Sequence, residues 1–109
     1  MTREELAFEE RAIIAVQRGR DFLDSFEPNW RTLARGFFFE SRTDCVLCRV
    51  AKVKNYTAAL RKVRFSATTA VLHGFDTHVS DTNRVGRLFV YSTMERLWNA
   101  VIDQEAACH

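Results

Sequence analysis

Four glycines and one proline in 109 residues leave this chain very little backbone punctuation. A β-sandwich or barrel needs a turn signal roughly every 8–12 residues, and Gly and Pro supply most such signals. Their scarcity selects helices. Two sequence patterns agree. Thr2-Arg3-Glu4-Glu5 is a capping box, in which the Thr2 hydroxyl accepts from a free amide one turn in and Glu5 reaches back to the cap. Leu6, Ile13, Ile14, Val16, Phe22 and Leu23 then keep a rough helical period, so a first helix is expected over Arg3–Phe26. Pro28 ends it, because the residue before a proline is pushed out of the helical region.

Further along, Trp30 and Leu33 read as an irregular link, and Phe37-Phe38-Phe39 as a short extended segment with at least one ring turned outward. Asp44 or Thr43 can cap a helix from Cys45 to Val53, Asn55 one through Val63, and Ser66 one over Ala67–Leu72. Gly74 stands where a left-handed helix end needs no β-carbon, with Phe75 folding back on the last turn. Asp76 to Arg87 reads as a loop. Leu88–Tyr91 fits either a strand against Phe37–Phe39 or the start of the last helix, and Ser92-Thr93-Met94-Glu95 is a second capping box. Met94, Leu97, Trp98, Val101 and Ile102 form the closing apolar stripe. The expected fold is mainly α: a single domain over 1–109, a compact bundle of four to five helices with one short two-stranded β patch as an option.

Composition narrows function more by exclusion than by indication. Hydrophobic residues make up 47% and charged residues 28%, values that argue for a packed core. The net charge of +2 announces neither a nucleic acid nor a membrane partner. The first residues carry no signal peptide, no run spans a bilayer, and three cysteines fit reduced thiols, so a cytoplasmic location is expected.

Charge distribution is more informative than the total. No acidic residue lies between Asp44 and Asp76, whereas Arg49, Lys52, Lys54, Arg61, Lys62 and Arg64 are basic. Such a segment can meet nucleic-acid phosphates. The favoured alternative is a solvated face paired with Glu4, Glu5, Glu9 or Glu10. The aromatic residues Trp30, Phe37, Phe38 and Phe39, with Arg61 and Arg64, suit a protein-binding surface or a homodimer.

Cys45 and Cys48 share a helix face at a spacing of three. With His73 and His78, or with Cys108 or His109, they could complete a tetrahedral zinc site, but no metal-knuckle glycines flank them. Buried, inert thiols are favoured. Disulfide exchange is disfavoured further, since the Asp44 carboxylate opposes a Cys45 thiolate. Asp76, His78 and Asp81 could be imagined as an acid–base set, yet no motif places a nucleophile or phosphate cradle beside them. No catalytic residue, cofactor or metal is assigned, and the chain reads as a non-enzyme.

Several segments occur in a familiar order: Phe22-Leu23-Asp24, Pro28-Asn29-Trp30, Asp44-Cys45-Val46-Leu47, Tyr56, Ser66 to Ala70, His73-Gly74-Phe75-Asp76, and Leu97-Trp98 to Ile102. Together they resemble a family of small actinobacterial and actinobacteriophage proteins with no established activity, which carry a Leu-Asp and Pro-x-Trp segment, a Cys-Val-Leu-Gly-Gln motif, a Gly-Phe motif and a terminal Trp helix. The resemblance spans Asp21 to Asp103. It departs at Cys48-Arg49, where the family has Gly-Gln, and at Ala51-Lys52-Val53, where the family has Phe-Gly. It implies a fold and a phage or actinobacterial setting, not a reaction. The expected role is a non-enzymatic accessory protein that binds a host or phage protein, with nucleic-acid binding and a small zinc protein as alternatives.

Overall fold

A computed structural model describes residues 1–104. The described residues form seven helices: α1 (Arg3–Phe26), α2 (Trp30–Ala34), α3 (Val46–Ala51), α4 (Tyr56–Val63), α5 (Ala67–Leu72), α6 (Val79–Val85) and α7 (Arg87–Asp103). The fold is mainly α as expected, with seven helices where four to five were expected.

The two long helices make the frame. In α1 the capping box forms in full: Glu5 N–H donates to the Thr2 hydroxyl at 3.1 Å, and Thr2 N–H to the Glu5 carboxylate at 2.8 Å. The buried face of α1 is Phe8, Ala12, Val16, Gly19 and Leu23, spaced three and four apart. In α7 the matching stripe is Val90, Met94, Trp98 and Ile102. These faces pack on each other, and α1 packs more extensively on α7 than on any other helix. Full burial of a large apolar side chain contributes about 1.5–3 kcal/mol, so this seam is a major source of stability. Arg96 to Glu9 at 2.6 Å pins its outer edge.

Between the frame helices, α3, α4 and α5 end in the same way. A residue with positive φ follows each, Lys52 (61°) and Arg64 (63°) directly and Gly74 (76°) after His73. An apolar residue comes next, and its N–H returns to a carbonyl five residues back: Val53 to Cys48 at 3.1 Å, Phe65 to Leu60 at 2.9 Å and Phe75 to Ala70 at 2.9 Å. This is the left-handed cap that satisfies the last carbonyls and turns an apolar side chain back onto the helix. Three helices of only six, eight and six residues are thereby closed off and folded over the core.

Close approach, rather than a bend, explains Gly19. A β-carbon there would lie 2.1 Å from the His73 carbonyl oxygen and 2.7 Å from Trp98 Cη2. The glycine lets the end of α5 and the indole of α7 meet the α1 backbone.

Three expectations need correction. Trp30 and Leu33 stand in α2, not in an irregular link; Trp30 is fully buried and its indole N–H donates to Asp24 at 2.8 Å. The segment Asp76–Arg87 contains α6, anchored by a forked pair from Arg11 to Asp81 at 3.0 and 3.3 Å. Leu88–Tyr91 belongs to α7, which begins at Arg87, so no β patch forms and no strand occurs among the described residues. Val90 belongs to the four-residue stripe, and a helix buries it where a strand would not. The donors of Phe37–Phe39 are satisfied otherwise: Phe37 N–H by Ala34, Phe38 N–H by Asp44 and Phe39 N–H by the Glu95 carboxylate. Consequently Ser92 lies inside α7, its hydroxyl donating to the Phe89 carbonyl, and caps nothing. No helix of the described residues is long and apolar enough to cross a membrane.

Candidate functional site

The aromatic residues expected at a binding surface mostly turn inward. Trp30 is fully buried, edge-on to Trp98 at 5.9 Å, and Phe37 and Phe39 are buried too, with Phe39 against Tyr91 at 5.8 Å. Burying an indole removes more apolar area from water than any other side chain, so the core claims it. Phe38 alone of this set faces outward, at 60% exposure.

The basic segment divides into two groups. Arg49 is engaged internally, forking onto Asp44 at 2.6 and 3.0 Å and reaching the Arg35 carbonyl at 2.6 Å. This pairing holds the Asp44 carboxyl below the usual carboxylate range. Lys62 donates to the Ala51 carbonyl at 2.7 Å, which lays the end of α4 beside the end of α3. Among the described residues, Lys52, Lys54, Arg61 and Arg64 remain exposed on that edge without an ion pair. The expected pairing with the acidic N-terminal residues does not form: Glu9 holds Arg96 of α7, and Glu5 holds its own cap.

The four residues of the zinc alternative are not assembled. No group of three or more His, Cys, Asp or Glu side chains among the described residues could hold a metal ion. Packing accounts for this. His73 is drawn into an aromatic cluster, 4.8 Å from Phe65 and 6.2 Å from Phe22, with Nδ1–H donating to the Thr69 carbonyl at 2.8 Å. His78 is exposed ahead of α6. Cys108 and His109 lie outside the described residues. Asp76 and Asp81 are each held by an arginine, Arg42 and Arg11, so Asp76, His78 and Asp81 form no acid–base set.

A different site is formed by helix packing. A groove between α1, α5 and α6, with a volume of about 230 Å³, is lined by Ile14, Ala15, Arg18, Val71, Leu72 and His78, among others. Ile14 and Leu72 are 52% and 51% exposed. Two aliphatic side chains therefore line one cleft with neither covered. Arg18 also lines it, exposed and in no ion pair among the described residues, while Arg11 and Asp81 line it with their own bridge. The sequence carried a signal for this: Ile14 falls about two residues out of step with the buried stripe of α1, an aliphatic placed where a surface helix is normally polar.

Comparison with protein-family models, with curated proteins and with solved structures gave no match to the chain.

Proposed function

We propose that this chain is a non-enzymatic accessory protein that binds another protein through the groove of α1, α5 and α6. The carrying observation is that Ile14 and Leu72, both half exposed, line one cavity of about 230 Å³. A pocket of this kind takes an apolar anchor side chain, the usual energetic centre of a protein interface. Arg18, which lines the groove in no ion pair among the described residues, favours a partner that carries an acidic residue beside that anchor. The resemblance to actinobacterial and phage proteins supports a host or phage protein as the partner.

The test is affinity capture from an actinobacterial lysate, with and without phage infection, comparing the wild-type chain with Ile14→Asp/Leu72→Asp. Both positions are half exposed, so the two substitutions together change stability by about 1 kcal/mol at most. A protein enriched by the wild type and lost with the double variant supports the reading. Equal recovery by both removes the groove from it.

A second reading rests on Lys52, Lys54, Arg61 and Arg64, exposed on one edge where α3 and α4 end. Nucleic-acid binding by these four cations gives a log–log salt slope of about −3. Binding that cannot be measured at low salt removes this reading.

A further inference from the structure

Cys45 and Cys48 occupy distinct environments at the start of α3. Cys45 is the residue before the helix, in extended conformation, and Cys48 is the third residue within it. Both are buried free thiols. Cys45 lines a polar cavity of about 200 Å³ that is also walled by Arg42, Tyr56, Asp76, Arg87 and Tyr91. Cys48 does not line it; its thiol donates to the Arg42 carbonyl at 3.5 Å. Burial, and then the adjacent Cys45 thiol, push Cys48 up to about 12, so it stays a protonated thiol.

The cavity surrounds Cys45 with groups suited to a reacting sulfur. The Arg42 guanidinium lies 4.6 Å over the Tyr56 ring and bonds Asp76 at 3.2 Å. It lines the same cavity as Cys45. The neighbouring Asp44 carboxylate is engaged by the fork from Arg49. The Tyr56 hydroxyl is buried and makes no well-formed hydrogen bond among the described residues, with the Asp76 carboxylate only loosely engaged. Leaving such a group unsatisfied costs about 1–3 kcal/mol, a cost that a polar guest in the cavity offsets. Burial, and then the charge of Asp76, push the Tyr56 phenol up, so it stays an O–H donor.

We propose that Cys45 and Cys48 form a reversible oxidation site for a small hydroperoxide, independent of the docking groove. The Cys45 sulfur attacks the terminal peroxide oxygen and the O–O bond breaks. The leaving oxygen takes the proton released by Cys45 and departs as an alcohol, or as water from hydrogen peroxide. Cys45 is left as a sulfenic acid. The Cys48 sulfur then attacks the Cys45 sulfur, the S–O bond breaks, and the hydroxide leaves with the Cys48 proton as water. Two thiols have become one disulfide, and one peroxide has been reduced. Tyr56 donates to the peroxide, and Arg42 steadies the negative charge on sulfur and then on the leaving oxygen. A cavity of about 200 Å³ holds a peroxide among a few waters, at about 30 Å³ each, and excludes a peptide-sized disulfide as oxidant. A disulfide needs β-carbons about 3.5–4.5 Å apart, so closure draws Cys45, ahead of α3, onto Cys48 in its first turn. A small dithiol reverses the reaction.

The experiment uses the full chain with Cys108→Ser, reduced, exposed to a small excess of hydrogen peroxide, and read by peptide mass spectrometry with circular dichroism confirming the fold. The expected product is a Cys45–Cys48 disulfide, a loss of about two mass units that dithiothreitol restores. With Cys48→Ser added, dimedone labels Cys45; with Cys45→Ser added, it labels nothing. Tyr56→Phe and Arg42→Gln, each still folded, slow disulfide formation about tenfold. Thiols that both remain alkylatable would overturn the proposal. So would dimedone on Cys48 in the Cys45→Ser protein, or Tyr56→Phe and Arg42→Gln proteins that both oxidise at the wild-type rate.

Discussion

The indole nitrogen of Trp98 donates a 2.7 Å hydrogen bond to the carbonyl oxygen of Gly74, 24 residues earlier in the chain. The same indole stacks on Phe75 at 5.3 Å and meets Trp30 edge-on. One side chain thus joins α7, the end of α5 and α2. Trp98→Phe keeps a ring but leaves the Gly74 carbonyl unpaired and opens a void. The expected loss is about 2–4 kcal/mol, measured by urea denaturation followed by circular dichroism.

Gly19→Ala is expected to destabilise, although alanine normally favours a helix interior by about 1 kcal/mol. Its β-carbon would enter the space of the His73 carbonyl and the Trp98 ring. A loss of about 1–3 kcal/mol in the same assay is the expected result, and a gain would show that the α1–α5 approach is looser than described.

Lys52 and Arg64 hold left-handed conformations that cost a residue bearing a β-carbon about 1 kcal/mol or slightly more. Lys52→Gly and Arg64→Gly should each raise stability by about 0.5–1 kcal/mol, with additive shifts in denaturation midpoint. If the basic edge binds nucleic acid, the same substitutions flatten the salt slope by about one per residue.

Asp44 carries the acid response of the α3 region. Arg49 lowers its folded-state pKa, so the pair stabilises the fold above the ordinary carboxylate value of about 4 and loses that contribution as pH falls through the depressed value. Asp44→Asn is therefore expected to be less stable than the wild type at pH 7, by about 0.5–1 kcal/mol for a partly exposed pair, and to approach it below pH ~4. Denaturation curves at pH 7, 5 and 3 test this, and a gap that stays constant across them would refute the assignment.

Much of the fold was legible because local signals and packing agree. The Thr2–Glu5 box and Pro28 bound α1, Asn55 and Ser66 cap α4 and α5 through their side chains, and Gly74 takes the left-handed end. The errors fall where a local signal lost to packing. Leu88–Tyr91 is β-branched and aromatic in part, yet Val90 continues the stripe of Met94, Trp98 and Ile102. The polar run before it conceals α6, whose buried Asp81 is supported by an arginine 70 residues away, a pairing no window reveals. The site was less legible. Trp30 and Phe39 read as surface aromatics because a sequence does not say which rings a small core has room for. Ile14 was legible only as an aliphatic out of step with the buried stripe of α1, and nothing local marked Leu72, since the packing of α1 against α5 leaves both half exposed.

The seam between α1 and α7 also sets the order in which the protein can form. About 60 residues separate the end of α1 from the start of α7. At ribosomal rates of about 5–20 residues per second, Phe8, Val16 and Leu23 wait about 3–12 s for the segment that shields them. Nascent chains of this protein should therefore recruit chaperones until Val90 to Ile102 leave the exit tunnel, and a ribosome stalled before that point should hold a chain that has not yet folded.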